Sequence, residues 1–520
     1  MHKSKFYLTT LAAFSIAVVC LVNGCSKNIK DRSWAFPALN PAKTDSLAGT
    51  WKPILLTAPT EFPVAAPLPT SNASYIRELN EVKSYQANIT ADQKRNVEYW
   101  SAGAVLRWNE IMRTLVARHN LAPYQNPDGT YPAPSAANPF AYPQFPFSNP
   151  PYAARAYAYV SAAQYDALVA AWHYKKLYNR KAPYAVDNAI TPLIPQSTMP
   201  SYPSEDAVVE GVTVELLKLL FPTEIAFIQQ QADAHKTSRL ISGANVRSDI
   251  EAGELLGKQV AQKFITRATT DRAGAAIGNQ TLWTQLEQDC IARGEIPWMS
   301  LDAPKRPPML PLFGKVKPFL FDSLTVISLR PVPPPSTGSA QMRAETDEVL
   351  WFSKNATREQ MGIVHFWADG TGTYAPPGHW NAIAAEDFVQ RNFSEVRWAR
   401  NLALVNMSLM DAAIVCWDTK NFYFNPRPSQ LNPAIKTLTG IPNFPAYISG
   451  HSTFSAAAAT TLGYIIPDRA AAYEAMAKEA SMSRLYGAIH YRSDCEVGLQ
   501  VGSKVGNYAV IRGRADGADQ

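Results

Sequence analysis

The feature that most constrains the fold of this chain is an internal repeat with a spacing of 245 residues. Residues 238–257 read SRLISGANVRSDIEAGELLG, and residues 483–502 read SRLYGAIHYRSDCEVGLQVG, with SRL and RSD at the same separation. The same offset places Asp166 on Asp411. Chance is a poor explanation for this agreement, so the sequence predicts a duplicated domain that packs as two related units.

Apolar residues recur at helical spacing in both copies. In the Ala-rich residues 150–172 and 397–417 they stand at positions i, i+3 and i+4, whereas few segments of the chain alternate as strands do. Proline clusters mark the long loops between these stretches. We therefore predict an all-α fold that is built from two related helical bundles.

Composition shifts divide the chain into regions. Lys3 and Lys5 precede a short apolar run, which is the layout of a signal peptide, and the stretch after it is rich in proline and lacks periodicity. That Pro-rich stretch is either a tether or a set of arms that wrap the surface. The predicted regions are a signal peptide (1–24), a Pro-rich tether (25–74), an N-terminal helical bundle (75–270), a Pro-rich connection (271–340) and a C-terminal helical bundle (341–515).

The VNGC sequence at the end of the signal peptide resembles a bacterial lipoprotein signal. It would make Cys25 the first residue of the mature chain and its acylated residue, and an ordinary secretory peptide with a chance cysteine is the alternative. We expect an exported lipoprotein that faces the periplasm or the cell surface and meets the membrane only through its lipid. The net charge of +6 is mild for 520 residues and no basic runs occur, so nucleic acid is not an expected partner.

The two copies differ in residues that could carry chemistry. At matched positions the second copy has a cation, a glycine or an imidazole that the first copy lacks. The replacements, from first to second copy, are Ala182 to Arg427, Glu205 to Gly450, Asp206 to His451 and Asn245 to His490. The first copy can keep the fold with these residues but cannot keep the site. We therefore assign the first bundle a structural role and expect the second bundle to be catalytic.

The second copy combines cations with backbone donors. Lys420, Arg427 and Arg484 provide three strong cations, and Ser449 and the Gly450 amide can donate further hydrogen bonds. Guanidinium forks, an ammonium group and a backbone N–H suit a tetrahedral oxyanion such as phosphate or vanadate. Glycine lets the backbone approach the oxyanion, and the apolar run that follows predicts a helix whose N-terminal amides add to the anion site.

Two histidines complete this set. One of them, His490 or His451, can bond to the central atom from one face while the other gives or takes a proton on the opposite face. Asp494 stands four residues after His490, which places both on one helical face and lets the carboxylate hold the second ring nitrogen. That contact would fix the tautomer of the histidine.

In sequence order these residues read K-x6-R-P from Lys420, S-G-H from Ser449 and S-R-x5-H-x3-D from Ser483. The three parts resemble the signature of the type 2 phosphatidic acid phosphatase and vanadium-dependent haloperoxidase superfamily. One departure is Ile448, where that family usually has proline. The resemblance extends to the two-bundle helical architecture of the haloperoxidase branch, which would account for the chain from about residue 75 to 515.

The resemblance implies roles for individual residues. His490 is expected to ligate vanadium, or to attack phosphorus in a phosphatase, and Asp494 is expected to orient it. His451 resembles the acid/base histidine, and Lys420 is expected to polarise the peroxide substrate. The residues that resemble the oxyanion-binding set of the family are Lys420, Arg427, Ser449, Gly450 and Arg484.

Three features favour the haloperoxidase branch over the phosphatases. The chain is about twice as long as a minimal phosphatase bundle needs, and its second half carries the site. Trp417 and Phe444 resemble the aromatic residues near the metal in a fungal chloroperoxidase. The segment FWADGTGTYAPPGHWN resembles a part of that branch whose aspartate, here Asp369, is expected to pair with Arg484.

Alternatives remain open at this stage. A haloperoxidase would use vanadate as cofactor with peroxide and halide as substrates, whereas a phosphatase would hydrolyse a phosphomonoester or lipid phosphate through a phosphohistidine and need no cofactor. A phosphate-binding lipoprotein without turnover is the third hypothesis, which the pair of histidines disfavours. Trp172 in the first copy matches Trp417, which leaves a packing role open. His365 and His379 lie near the same FWADGTGTYAPPGHWN segment, where they could contact site residues, but a structural role is favoured for both.

Overall fold

Many helices of this chain begin at a side chain that caps free backbone N–H groups. Asn72, Ser339 and Ser394 each accept a hydrogen bond from an N–H of the following first turn. Thr90 and Thr357 add the reciprocal bond of a capping box with a glutamine three residues later. Such residues satisfy donors that have no partner within the helix, and they therefore fix where the helices start.

The structure, a computed structural model, describes residues 36–120, 149–303 and 305–518. Within these ranges it consists of α-helices, loops and short 3-10 turns, without a β-strand, so the all-α prediction is confirmed. The helices are α1 (Ala73–Ala87), α2 (Ala91–Ser101), α3 (Ala104–His119), α4 (Pro150–Tyr178), α5 (Pro183–Val186), α6 (Glu205–Leu220), α7 (Ile225–Ile241), α8 (Arg247–Thr270), α9 (Gln280–Ala292), α10 (Ser323–Leu329), α11 (Ala340–Asn355), α12 (Arg358–Phe366), α13 (Ala375–Gln390), α14 (Glu395–Tyr423), α15 (Pro428–Leu431), α16 (Gly450–Ile465), α17 (Ala470–Tyr486) and α18 (Arg492–Arg514).

The helix bounds repeat with the same offset of 245 residues. Helices α4 to α8 begin at residues 150, 183, 205, 225 and 247, and helices α14 to α18 begin at residues 395, 428, 450, 470 and 492. Matched helices have the same length, except that α8 has 24 residues and α18 has 23. This correspondence supports the duplication, which remains our interpretation of the repeat.

The two longest helices form the centre of the fold. Helices α4 and α14, each of 29 residues, pack against each other and are buried over most of their length. In the described part of the chain, one stretch, Glu395–Leu431, is long and apolar enough to cross a membrane, and its most apolar window is completely buried. We therefore assign this stretch to the protein core.

Close contact between helices α16 and α18 shapes the region where the motifs meet. A Cβ atom at Gly502 would lie 2.2 Å from the carbonyl oxygen of Thr453, and one at Gly498 would lie 3.0 Å from that of Ser449. Only a residue without Cβ permits this approach. The contact brings the N-terminus of α16 against the first turns of α18, so the second and third motifs become neighbours.

Residues that precede helix α1 lie against helix α4 as an extended arm. The backbone N–H groups of Ile54, Leu55 and Leu56 donate to the carboxylate of Asp166 at 2.5, 2.7 and 3.0 Å. Three such bonds in a row hold this stretch on the helical body. Of the two expectations for the Pro-rich region, this part has the geometry of an arm.

The predicted signal peptide and the predicted acylation site, Cys25, lie outside the described residues. The domain boundaries also stay predictions. Within residues 271–340, predicted as a Pro-rich connection, the structure has the short helices α9 and α10, and helix α11 begins at Ala340. The connection is thus partly helical, whereas its proline clusters lie between these helices.

Candidate active site

The three motifs of the second half meet at one cavity of about 440 Å³. Predicted site residues that line this cavity are Asp369, Trp417, Phe444, Gly450, His451, Arg484 and His490. The other four, which are fully or almost fully buried next to these lining residues, are Lys420, Arg427, Ser449 and Asp494. The structure therefore brings together all predicted site residues of the second half, while their roles remain predictions.

Helix α16 presents its N-terminus to the cavity. Gly450 and His451 are its first two residues and line the cavity wall, and Ser449 caps the helix by accepting the N–H of Ser452 at 3.3 Å. A Cβ at Gly450 would lie 3.8 Å from Phe454 and 3.9 Å from Trp417, so this position has room for a Cβ in ordinary van der Waals contact. Free N–H groups and the positive end of the helix dipole favour an anion at this place.

His490 is held with one ring nitrogen unprotonated. Its Nδ1 atom donates to Asp494 Oδ2 at 2.8 Å, and the same oxygen accepts the backbone N–H of Tyr491 at 3.1 Å. The proton is thereby fixed on Nδ1, and the Nε2 lone pair accepts from Nη1 of Arg427 at 3.0 Å. Burial, followed by the charge of Arg427, lowers the pKa of His490 well below its usual range, which keeps the ring neutral.

One detail of the sequence prediction for this pair is wrong. His490 and Asp494 do not share a helical face, because helix α18 begins at Arg492 and His490 lies in the turn before it. Asp494 is the third residue of the helix, and its side chain accepts the backbone N–H of Tyr491, the residue before the helix. The carboxylate therefore orients the histidine from a helix cap, which a spacing of four residues does not distinguish from a helical face.

Lys420 is completely buried in the last turn of helix α14. Its Nζ atom donates to the carbonyl oxygens of Pro445 and Ala446, both at 2.8 Å. Burial lowers the pKa of Lys420 and raises the pKa of the neighbouring Asp494, since each charged form loses its hydration. The two neutral carbonyl groups orient the ammonium group without neutralising it, so an oxyanion nearby would favour the charged form.

The two arginines are also bound mainly by neutral groups. Arg427 donates from Nε to the carbonyl of Phe444 and from Nη1 to that of Ile489, both at 2.9 Å, and Arg484 donates from Nε to Ser483 Oγ at 2.8 Å. Burial lowers the pKa of Arg427 and of Arg484 to about 10, so both remain cationic at neutral pH. The second half thus concentrates positive charge at the cavity.

The Asp369 carboxylate lies beside two histidines. Its Oδ1 atom is 3.0 Å from Nδ1 of His379, and its Oδ2 atom is 3.7 Å from Nε2 of His451. The expected pairing with Arg484 is limited to electrostatic attraction, since no hydrogen bond joins the two groups. Burial, followed by the charge of Arg484, lowers the pKa of His451 well below its usual range.

His379 is the residue at this site for which the sequence favours a purely structural role over a contact with site residues. It stands ten residues after Asp369 with a loop and a helix start between them, so no periodic pattern connects the two. Asp369 and His379 do lie in one segment, FWADGTGTYAPPGHWN, and this was the available signal. The segment alone does not determine which of its side chains are in contact.

Aromatic rings form one wall of the cavity. The ring centroids of Trp417 and Phe444 are 5.0 Å apart, and Lys420 Nζ lies 4.9 Å from the centroid of Phe444. Trp417 also donates from Nε1 to the carbonyl of Met309 at 3.0 Å, so it both packs in the core and lines the cavity. Low-dielectric walls of this kind strengthen the electrostatic interactions of the neighbouring cations.

The residues present fit an oxyanion. In the described part of the chain, Arg427 Nη2 is a buried donor at this site without a hydrogen-bond partner, and an oxyanion would satisfy it. The buried atoms His451 Nε2, Asp369 Oδ2 and Asp494 Oδ1 also lack a partner, but the two carboxylate oxygens are acceptors and do not favour an anion. No group of three or more His, Cys, Asp or Glu side chains with metal-binding geometry occurs among the described residues. A single unprotonated histidine nitrogen among cations and helix amides suits vanadate or phosphate better than a bare metal ion.

Comparison with known proteins agrees with this geometry. Residues 401–512, which contain all three motifs, match the model of the PAP2 superfamily. Among solved structures, the fold is similar to that of a bacterial vanadium-dependent iodoperoxidase, with 21% sequence identity, a TM-score of 0.57, and coverage of 78% of this chain and 95% of that chain.

A second solved structure, the holo form of a bacterial vanadium-dependent chloroperoxidase, has 12% identity and a TM-score of 0.52, and the match covers 76% of this chain and 98% of that chain. No curated protein sequence matches the chain significantly. Likeness at these identities establishes the fold, which is the all-helical fold of vanadium haloperoxidases and the PAP2 superfamily.

Proposed function

We propose that this chain is a vanadate-dependent haloperoxidase, which oxidises a halide with hydrogen peroxide at a vanadate held by His490. The observation that carries the proposal is the unprotonated Nε2 atom of His490, set among Arg427 and Arg484 at a cavity with an aromatic wall. The similarity of the fold to that of an iodoperoxidase and a chloroperoxidase supports it.

The cations of the site bind and orient the oxyanion in this mechanism. Arg427 keeps Nη2 without a partner, and the N-terminal amides of helix α16 are available beside it. When bound, vanadate supplies a Lewis acid that activates peroxide without a change in its own oxidation state. His490 would contribute its Nε2 lone pair when Nη1 of Arg427 leaves that nitrogen for the oxyanion, and Asp494 keeps Nε2 unprotonated by holding the proton on Nδ1.

His451 moves the protons. Its lowered pKa makes the ring neutral at the start, so it can accept a proton from hydrogen peroxide and return it to a leaving oxygen. Asp369, at 3.7 Å, stabilises the imidazolium form that exists between these two transfers. Lys420 raises the electrophilic character of the substrate oxygen from behind the aromatic wall, and Trp417 with Phe444 excludes water from that side.

Phosphate-ester hydrolysis is the second candidate function, because the matched part of the chain is a PAP2 superfamily region. His490 would attack phosphorus through Nε2 and form a phosphohistidine while the ester bond breaks. For this function His451 would have to enter the step as the imidazolium, stabilised by Asp369 and by the bound phosphate dianion, and it would give that proton to the leaving oxygen. A water molecule, deprotonated by His451, would then release phosphate. The same cations would stabilise the charge on the transferring group.

One experiment separates these functions. The protein is assayed with orthovanadate, hydrogen peroxide and bromide or iodide for halogenation of a dye, and in parallel for hydrolysis of a chromogenic phosphate ester. We expect halogenation that requires vanadate and is lost in His490→Ala. Hydrolysis inhibited by vanadate, without halogenation, would establish the phosphatase. Phosphate binding without either turnover would identify a binding lipoprotein, and halogenation that persists in His490→Ala would contradict the site.

The lipid anchor is a further part of the proposal. An acylated Cys25 would hold the enzyme at a membrane surface outside the cytoplasm. Mass spectrometry of the protein from membranes of the producing cell tests this directly. An N-terminal peptide that begins at lipid-modified Cys25 is expected, and an unmodified peptide that begins elsewhere would contradict the anchor.

A further inference from the structure

The position of the Asp369 carboxylate depends on one hydrogen bond. Asp369 has a left-handed backbone conformation, with φ of 47°, in the turn between helices α12 and α13. Its Oδ1 atom bonds to Nδ1 of His379 at 3.0 Å, whereas Oδ2 is buried and has no hydrogen-bond partner. Without that single bond, the carboxylate could turn toward either of two neighbouring groups that attract it, the imidazole of His451 and the guanidinium of Arg484.

His379 is itself held rigidly. Its ring stacks on Trp367 with 4.6 Å between centroids, and Phe366 packs edge-on at 4.9 Å. The turn that carries Asp369 is fixed separately, because Asn120 donates from Nδ2 to the carbonyl oxygen of Gly370 at 2.8 Å. Both ends of the Asp369–His379 bond are therefore anchored by contacts other than that bond itself.

We propose that His379 is a positioning residue that keeps the Asp369 carboxylate turned away from Arg484. Arg484 thereby stays available to the oxyanion, and Oδ2 of Asp369 faces His451. The inference rests on the oxyanion site of the proposed function. It also explains why the Asp369–Arg484 pair that the sequence suggests is not formed as a hydrogen bond, since His379 provides the competing donor.

The first half of the chain supports a functional link between His379 and Asp369. Residues 107–111 read RWNEI and residues 379–383 read HWNAI, so Arg107 stands where the second half has His379. The amide of Asn109 donates to the equivalent Asn381 at 2.8 Å, which confirms that these two segments face each other. In the first half Ala102 replaces Asp369. The histidine and the carboxylate are thus absent together from the half that lacks the catalytic histidines.

Two substitutions of His379 separate positioning from packing. His379→Phe keeps an aromatic ring against Trp367 but removes the donor, whereas His379→Asn places an amide donor near the position of Nδ1 but removes the stacked ring. A packing role predicts that phenylalanine is tolerated and asparagine is not. The positioning role predicts the opposite order for oxyanion binding.

The measurement is calorimetric titration of the full protein with inorganic phosphate and with orthovanadate, together with thermal melting of each variant. We expect His379→Phe to melt close to wild type and to bind both oxyanions about tenfold more weakly, as for a lost hydrogen bond to a charged group. His379→Asn is expected to melt at a lower temperature and to bind within about twofold of wild type.

The reverse order of affinities would overturn the inference, and so would an equal loss in both variants that follows their loss of stability. The titration measures binding and does not depend on halogenation. If the wild-type protein binds phosphate but does not halogenate, the proposed activity is overturned, and the affinities of the two variants still test the role of His379. A wild-type protein that binds neither oxyanion overturns both.

Discussion

The two halves of the molecule have cavities at matched positions, but the charged side chains that line them differ. The first-half cavity, of about 270 Å³, is lined by residues 194–197 and Arg239, which the offset of 245 places on residues 439–442 and Arg484 around the second cavity. In the first half, carboxylates occupy the helix N-terminus where the second half has glycine and histidine. The helices correspond, but the negative charge at the helix N-terminus of the first half is absent from the second half.

The first-half carboxylates neutralise the cations that remain there. Glu205 Oε2 lies 3.2 Å from Lys175 Nζ, and Asp206 Oδ1 lies 3.4 Å from Arg239 Nη1 and 3.3 Å from His235 Nε2. Burial alone would raise the pKa of Asp206, but Arg239 and His235 lower it to about 2. We infer from this difference that the buried lysine and arginine at this place are stabilised by an anion in each half. The first half supplies its own, and the second half leaves the place to a ligand.

The largest effect is expected from the histidine that distinguishes the halves. His490→Ala removes the only predicted bond from the protein to the central atom, so the catalytic rate should fall by at least about a thousandfold. The matched control is Asn245→Ala in the first half, which should leave the rate within about twofold because no reacting group lies there. Rates of dye halogenation or ester hydrolysis provide the measurement, and equal losses in the two variants would contradict the assignment.

The second prediction introduces at position 450 the carboxylate that the first half has at the matched position, Glu205. A glutamate at position 450 should pair with Lys420 as Glu205 pairs with Lys175, and it should occupy the place of the oxyanion. We expect Gly450→Glu to weaken phosphate binding about a hundredfold, or ~2.7 kcal/mol.

Gly450→Gln is the control of equal size, because a Cβ fits at this position and only the charge differs. The glutamine variant should retain most of the affinity in the same titration. If glutamine and glutamate weaken binding equally, crowding and not charge excludes the oxyanion, and the account of the first half fails.

The smallest effect concerns a feature that both halves share. Asp166 and Asp411 lie at matched positions in the central helices, and Asp411 accepts the backbone N–H groups of Phe319 and Leu320. Burial raises the pKa of Asp166 to about 6 and that of Asp411 to about 7 from 3.8. Because each folded-state pKa is raised, the stabilising contribution is present below about pH 4 and is lost as the pH rises to about 7.

Urea unfolding at pH 5 and pH 8 measures this contribution. The wild-type free energy of unfolding should decrease between these pH values, with about 1 kcal/mol or more from each aspartate. Asp411→Asn should remove the part of this decrease that Asp411 contributes. Asp166→Asn should behave alike, since the contacts are equivalent. A pH dependence that is unchanged in both variants would show that the buried carboxylates do not titrate in this range.

Much of this arrangement follows from sequence patterns. Helical periodicity predicted the all-α class, and the comparison of copies predicted that Gly450, His451 and His490 lie in the half with the site, because both inferences depend on local spacing. The position of His490 before helix α18 did not follow, since a helix start depends on which side chain caps it. The contact of Asp369 with His379 did not follow either, because a loop of irregular backbone decides where that carboxylate lies.

The central claim is that the second half alone has a place for an oxyanion. Calorimetric titration of the wild type, Arg484→Ala and Arg239→Ala with orthovanadate tests it most directly. We predict a single site per chain, abolished or strongly weakened by Arg484→Ala and preserved in Arg239→Ala, since Asp206 already neutralises Arg239. Two sites per chain, or a site that is lost in Arg239→Ala and retained in Arg484→Ala, would contradict the claim.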